Sequence, residues 1–148
     1  VLVDQVPGLD ETVVRLQGSG ETGAPFIIET LPFADYRDTQ RASQREFDVY
    51  ECDDADESGA EFVYQLVLDR ETALRIMVMD RDAVDIDIHL LDDQLSCIER
   101  GHQQIDRFVS AGTYYITADS WVNGEGVEQS GPYQLLVVEC DVEDVSCQ

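Results

Sequence analysis

Short runs rich in Val, Ile, Tyr and Phe recur along most of this chain, separated by Gly, Asp and Pro. Several alternate apolar and polar residues with the period of two that a strand with one buried face requires. The segment Asp85–Leu90 places two aspartates and a histidine on one side and three aliphatic residues on the other. Eight runs are predicted strands: Phe26–Leu31, Phe47–Tyr50, Glu61–Leu68, Ala73–Met79, Asp85–Leu91, Gln103–Val109, Thr113–Asp119 and Tyr133–Glu139.

This pattern predicts an all-β fold, an antiparallel jelly-roll-like β-sandwich of about eight strands with an N-terminal arm. No segment sustains helical spacing with capping signals for more than a turn or two. We expect residues 1–25 to be an arm and linker, with Gly18–Pro25 as a flexible joint. The sandwich then spans residues 26–140, and residues 141–148 form a C-terminal tail.

Composition narrows the possible partners. The chain has 148 residues, enough for one domain, with 32 Asp and Glu against nine Arg and a net charge of −23. Binding nucleic acid needs clustered cations, so nucleic acid is excluded as a partner and anionic membrane surfaces are disfavoured. With 43% hydrophobic residues the chain can build a core, yet no run reaches the roughly 18 apolar residues of a membrane span.

The four cysteines indicate the redox compartment in which the protein resides. Cys52, Cys97, Cys140 and Cys147 include no CxxC pair and show no zinc-finger spacing. Three pairings are possible, and we favour Cys52–Cys97 with Cys140–Cys147, which would tie down the C-terminal tail. Two disulfides predict a secreted, extracellular or cell-surface protein, and the alternative is four reduced cysteines in the cytosol.

Carboxylates cluster at the start of two predicted strands, in residues 53–61 and 80–87. Calcium takes about six to eight oxygen ligands, which carboxylates on loops at strand ends supply. Paired carboxylates on one strand face, such as Asp85 and Asp87, repel each other unless something neutralises them. We therefore expect a calcium site here, with a solvated acidic surface as the alternative.

The two histidines are weaker candidates. His89 continues the face of Asp85 and Asp87, which makes a mixed Asp/Asp/His transition-metal site conceivable. A partly buried histidine with one hydrogen-bond partner is more frequent, and we favour it for His89. His102 lies beside Gly101 in a predicted turn, and the sequence suggests no partner for it.

The sequence gives little support for a catalytic function. Ser19 lies in a Gly-Ser-Gly linker and not in a nucleophile elbow, and among so many carboxylates no acid–base pair is marked. We therefore expect no enzyme. An aromatic platform for a sugar is conceivable from Trp121, Tyr114, Tyr115 and Tyr133, but core packing is the favoured role of these side chains.

Three motifs in the second half of the chain occur in a characteristic order. A D-x-D-hydrophobic motif at Asp85–Leu91 is followed by G-T-Y-Y-hydrophobic within Ala111–Asp119 and G-x-Y-x-L within Gly131–Val137. Over about residues 26–139 this order resembles the bacterial pre-peptidase C-terminal domain. The upstream block Glu57–Tyr64, which reads E-S-G-x-E-x-V-Y, resembles a secreted subgroup of that family with a paired cysteine.

The resemblance implies a jelly-roll β-sandwich, secretion, no catalysis and a calcium ion held by carboxylates near the sandwich edge. Carried over by position, the candidate calcium ligands are Glu57, Glu61, Asp85, Asp87 and Asp119.

We expect a secreted, non-catalytic β-sandwich with a structural or adhesive role at the cell surface, stabilised by calcium and disulfides. A sharper hypothesis is a self-assembling filament subunit, in which an arm carrying Val13, Val14 and Leu16 adds as a strand to a neighbour. Its partners are then copies of itself, or a cell-surface protein or polysaccharide. The alternative is a carbohydrate- or protein-binding accessory module of a larger secreted hydrolase.

Overall fold

Two β-sheets pack face to face in the computed structural model, which describes residues 16–140 and residue 143. The nine strands of these residues are β1 (Phe26–Ile28), β2 (Phe33–Asp38), β3 (Glu61–Leu68), β4 (Thr72–Met79), β5 (Ile86–Leu91), β6 (Cys97–Gly101), β7 (Gln104–Val109), β8 (Gly112–Ser120) and β9 (Pro132–Glu139). One sheet has the order β1-β3-β8-β5-β6 and the other β2-β9-β4-β7. The predicted all-β sandwich is confirmed, with β1–β3 as a parallel pair in an otherwise antiparallel arrangement.

The core lies between the sheets and is formed by the inward-facing apolar residues of β1, β3, β4, β5, β7, β8 and β9. A polar network crosses it at Asp35 of β2. The Tyr64 hydroxyl donates to Asp35 Oδ2 over 2.6 Å and lies 2.7 Å from the Tyr133 hydroxyl, while Arg37 Nε donates to the same Asp35 oxygen over 2.8 Å. These bonds fix β2 against both sheets.

Most predicted strands are present within a residue or two of their predicted ends. The prediction fails at Phe47–Tyr50, which lies in a loop because its aromatic side chains pack on a sheet face without joining a ladder. Two strands were not predicted. β2 and β6 carry charged residues at several positions, so their apolar alternation is too weak to stand out.

Residues 18–25, predicted to be a flexible joint, form a packed turn. Ser19 N and Gly20 N both donate to Ala24 O, over 2.8 and 3.0 Å, and Val63 N of β3 donates to Gly20 O over 2.8 Å. Gly20 has φ +82°, and a Cβ there would lie 2.4 Å from the Phe26 ring. Only glycine fits this turn without strain.

The predicted assembly arm is described in part. Leu16 is half-buried and packs against the core of its own sandwich. Val13 and Val14 lie outside the described residues. In the described part of the chain, no helix has the length and apolar character needed to cross a membrane.

A 19-residue segment, residues 42–60, crosses the outer face of the five-stranded sheet between β2 and β3. We call it the cover loop. Cys52 within it is disulfide-bonded to Cys97 at the start of β6, as predicted. Cys140 is also disulfide-bonded, while its predicted partner Cys147 lies outside the described residues.

The Cys52–Cys97 bond closes a chain segment with a sequence separation of 45 residues. In the chain-entropy model a closed loop of this size contributes about 4 kcal/mol to stability. We expect the double variant Cys52→Ala, Cys97→Ala to lose about 2–4 kcal/mol of unfolding free energy, measured by urea denaturation without reductant. Val49→Ala, at an exposed position of the same loop, is the control and should change stability little. An unchanged double variant would mean that the cover loop holds without its disulfide.

Candidate functional site

Three carboxylates stand in one row beneath the cover loop. Glu61 on β3 is the register partner of Asp119 on β8, which is the register partner of Asp87 on β5. All three side chains point away from the core, and all three are inaccessible to solvent. Neighbouring like charges destabilise a sheet and burial raises the cost, so this acidic row needs donors or counter-charges.

The cover loop supplies donors at the Glu61 end of the row. Glu46 N donates to Glu61 Oε2 over 3.0 Å, and Phe47 N lies 3.4 Å from Glu61 Oε1. Burial nevertheless raises the pKa of Glu61, because these bonds only partly offset its desolvation.

Tyr50 of the cover loop provides a hydrogen-bond donor for Asp119, the middle carboxyl of the row. Its hydroxyl donates to Asp119 Oδ2 over 2.7 Å and lies 3.0 Å from Thr117 Oγ1. Its ring stacks on His89 with 3.6 Å between centroids, and Phe47 stacks on its other side at 5.3 Å. Burial raises the pKa of Asp119 well above its usual range, because the charged carboxylate loses its solvation there.

Asp87 is the charged member of the row. The Arg100 guanidinium contacts its Oδ2, and His102 Nδ1 lies 3.0 Å from its Oδ1. Burial opposes its ionisation, but hydrogen bonds with Glu57, Arg100 and His102 lower the pKa of Asp87 overall. Arg100 is itself anchored, because its Nε lies 3.1 Å from Asp53 Oδ2 in the cover loop.

Glu57 of the cover loop enters the cluster from above. Its side chain is inaccessible, and neither of its oxygens accepts a hydrogen bond from an N–H or O–H group of the described residues. Burial first, and then its contact with Asp87, raise the pKa of Glu57 to about 11. The pKa of Asp87 is lowered while that of Glu57 is raised, so Glu57 is the member of this pair that holds a proton.

His89 is buried in the same cluster and is neutral. Its Nδ1 lies 3.3 Å from Thr117 Oγ1, and its Nε2 lies 3.8 Å from Glu57 Oε1. Burial lowers the pKa of His89 to about 3. This is the arrangement favoured from the sequence, a buried histidine with one hydrogen-bond partner.

The structure brings the five predicted calcium ligands into one region but spreads them along it. Within the described residues, three acidic or histidine side chains lie close enough to bind one ion. They are Asp85, Asp87 and His102, whose ligand atoms all lie within 4.8 Å of one another. Glu57, Glu61 and Asp119 fall outside that group. Glu61 and Asp119 lie under the cover loop, and Glu57 is part of that loop. Calcium at the predicted set therefore stays a prediction.

His102 is the site residue that the sequence did not reveal. It follows β6 in the tight turn to β7, and the pairing of β6 with β5 brings that turn beside Asp87. The partner of an Asp-x-Asp strand is set by which strand lies next to it. A pattern within one segment does not contain that information.

The predicted alternative of an aromatic platform is not formed. Tyr114 and Tyr133 have 8% and 1% of their surface exposed and belong to the core. Tyr115 and Trp121 are half-buried. Core packing therefore accounts for Tyr114 and Tyr133, as the strand alternation favours.

Comparison with known proteins gives only distant likeness, to solved structures. No protein-family model matches this sequence, and no curated protein matches it. Among solved structures the chain is similar to PliG of Aeromonas hydrophila, a periplasmic lysozyme inhibitor of g-type lysozyme. The TM-score is 0.48 at 12% sequence identity, over 77% of this chain and 94% of that one. A likeness at this level transfers no partner or activity.

The Tyr50 hydroxyl should be worth more to stability than its size suggests. Tyr50→Phe keeps the stacking on His89 but leaves Asp119 Oδ2 without its donor. A buried acceptor left unsatisfied costs about 1–3 kcal/mol, and we expect that loss of unfolding free energy in urea. Tyr36→Phe is the matched control, because Tyr36 is 68% exposed. Equal stability of the two variants would contradict this role of the hydroxyl.

Glu57 should make stability depend on pH. The folded protein keeps the proton to about pH 11, whereas the unfolded chain releases it near the ordinary value of 4.5. Between these values the unfolded state binds fewer protons, so stability falls as pH rises, by up to about 1.4 kcal/mol per unit for this group.

Glu57→Gln removes this proton while its amide can still donate to Asp87. We expect the variant to lose less stability than the parent between about pH 5 and pH 8, measured by urea unfolding in chelator. Glu125→Gln, at an exposed position, is the matched control and should follow the parent. Parallel pH profiles for parent and Glu57→Gln would show that Glu57 carries no proton in the folded state.

Proposed function

We propose that the protein is a secreted, non-catalytic β-sandwich module that associates with copies of itself through an open edge of its four-stranded sheet. The disulfides at Cys52–Cys97 and at Cys140 support an oxidising compartment, because such bonds persist in secreted proteins and are rare in the cytosol.

A non-catalytic role is supported by where the perturbed groups lie. Glu57 and Asp119, whose pKa values are raised most among the carboxyls described above, are inaccessible to solvent. A general acid must reach its substrate directly or through one water. Sealed under the cover loop, these groups instead hold the loop to the sheet.

The observation that carries the proposal is the outer edge of β2. Within the described residues β2 pairs on one side only, with β9, so half of its peptide groups face outward without a backbone partner. The edge of the other sheet at β1 is covered, because Ile27 N donates to Gln17 O over 3.0 Å. An open edge strand is a template for strand addition.

The surface beside this edge suits an extended segment. Tyr36 is 68% exposed and borders an open pocket of about 390 Å³ lined by Tyr36, Arg37, Asp38, Arg41, Phe62 and Pro132. Two of these six side chains are arginines in a chain that carries only nine. The pocket therefore offers an aromatic contact and positive charge on an otherwise acidic molecule.

The proposed occupant is the arm of a second copy. Leu16 packs on its own sandwich, so the segment that we propose to insert into a neighbour precedes Leu16 and includes residues 1–15. Fifteen extended residues span about 50 Å, enough to reach a neighbouring sandwich. A heterologous contact of this kind builds filaments if its rotation does not close.

Charge sets the conditions for such association. Each copy carries −23, so approach is repulsive until ions screen it, and at 0.15 M salt the screening length is about 8 Å. Association should therefore appear at physiological salt and weaken at low ionic strength. Calcium, the cation predicted from the sequence, should promote it more than an equal ionic strength of sodium.

The test is light scattering and electron microscopy of the whole chain at low and physiological salt, with calcium or chelator. We expect assemblies at physiological salt that are lost in Tyr36→Lys, because a lysine on an edge strand blocks strand addition. Val67→Lys is the matched control, since Val67 is 64% exposed on the inner strand β3 and the charge change is identical. Monomers under all conditions would overturn self-association and favour the accessory-module alternative.

A further inference from the structure

One end of the acidic row opens to solvent, and its chemistry differs from that of the sealed part. Asp85 precedes β5, Asp87 lies within it, and His102 lies in the turn between β6 and β7. The His102 side chain is 56% exposed and that of Asp85 is 27% exposed, whereas Asp87 is buried. We propose that Asp85, Asp87 and His102 bind a divalent first-row transition-metal ion such as Zn²⁺, and this inference is independent of self-association.

The spacing of the ligand atoms fits such an ion. His102 Nδ1 lies 3.0 Å from Asp87 Oδ1 and 3.4 Å from Asp85 Oδ1. Two atoms that each bind Zn²⁺ at about 2.0–2.1 Å, with angles between octahedral and tetrahedral, lie roughly 2.9–3.4 Å apart. The three side chains therefore need little movement to bind one ion.

Two orphaned acceptors point to a missing cation. Asp85 Oδ1 is inaccessible and accepts no hydrogen bond from the described residues. Glu57, wholly buried and likewise without an N–H or O–H donor, abuts Asp87 from the sealed side. Unsatisfied buried acceptors are costly, and a bound cation would satisfy Asp85 Oδ1 directly.

The local charge balance favours a dication. Asp85 and Asp87 meet at this point, and Asp80 adds to their negative potential. The opposing cation is Arg100, which contacts Asp87 Oδ2 and is shared with Asp53. Arg100 leaves Asp87 Oδ1 free for an ion but repels that ion, so we expect weaker binding than at a closed four-ligand site.

The donor set favours a transition metal over calcium. Calcium takes about six to eight oxygen ligands, whereas this site offers two carboxylates and one imidazole nitrogen. Imidazole suits Zn²⁺ and its neighbours, and three protein ligands with an exposed side leave positions for water. Thiol binding does not compete, because the cysteines of the described residues are disulfide-bonded.

The experiment is calorimetric titration of ZnCl₂ into the whole chain after removal of metals with chelator, with Co²⁺ absorption as a second probe of coordination. We expect one Zn²⁺ per chain, a visible Co²⁺ spectrum, and no displacement of either ion by a hundredfold excess of Ca²⁺. His102→Gln should weaken Zn²⁺ binding at least tenfold and abolish the Co²⁺ spectrum. Because His102 is exposed, this variant is expected to fold.

Asp82→Asn is the matched control, since Asp82 is an exposed acid close by in sequence and outside the three-residue group. Its affinity for Zn²⁺ should equal that of the parent. Equal Zn²⁺ affinity in the parent and in His102→Gln would overturn the proposal, because the ion would then bind elsewhere on the acidic surface. Displacement by Ca²⁺, or absence of Zn²⁺ binding, would overturn it as well.

Discussion

The structure depends on excluding solvent from a row of carboxylates on the outer face of a sheet. Glu61, Asp119 and Asp87 are register neighbours on three adjacent strands, where in water they would repel one another and when buried would lack solvation. The sheet offers them few donors, because its own peptide groups are used in the ladders. The donors come from the cover loop and from β6 and the turn that follows it. The 19-residue cover loop therefore supplies three donors to the row, from Glu46 N, Phe47 N and the Tyr50 hydroxyl.

The disulfide and the polar contacts reinforce each other in holding the cover loop. The cover loop reaches the acidic row only when it lies at a fixed height above the sheet. The contacts that depend on this height are those of Tyr50, Glu57 and the peptide groups of Glu46 and Phe47. Cys52–Cys97 sets that height at one point and ties the loop to β6, the strand that carries Arg100. Arg100 then links Asp53 of the loop to Asp87 of the row. Covalent and ionic connections thus close a ring through loop, β6 and β5.

The sequence could predict the sandwich but not the cover. The alternation in Asp85–Leu90 correctly predicts that the aliphatic side chains lie in the core, because successive side chains of a strand point to opposite faces of the sheet. The same alternation suggests that the polar face is exposed to solvent. Every residue of β5 is nevertheless buried, because the cover loop lies over that face. Phe47–Tyr50 resembles a strand for the same reason: its aromatic residues are apolar because they pack on that face. The disulfide could be predicted from cysteine number and spacing, whereas His102 required knowledge of strand order.

Access to solvent divides the acidic groups by what can neutralise them. Glu57, Glu61 and Asp119 are sealed, so they are neutralised by protons or by donors built into the fold. Asp85 and His102 face solvent, where an ion can enter and leave. Asp87 belongs to both groups, because it contacts Glu57 on the sealed side and His102 on the open side. Asp87 therefore connects the open end of the row to Glu57 and, through Glu57, to the cover loop.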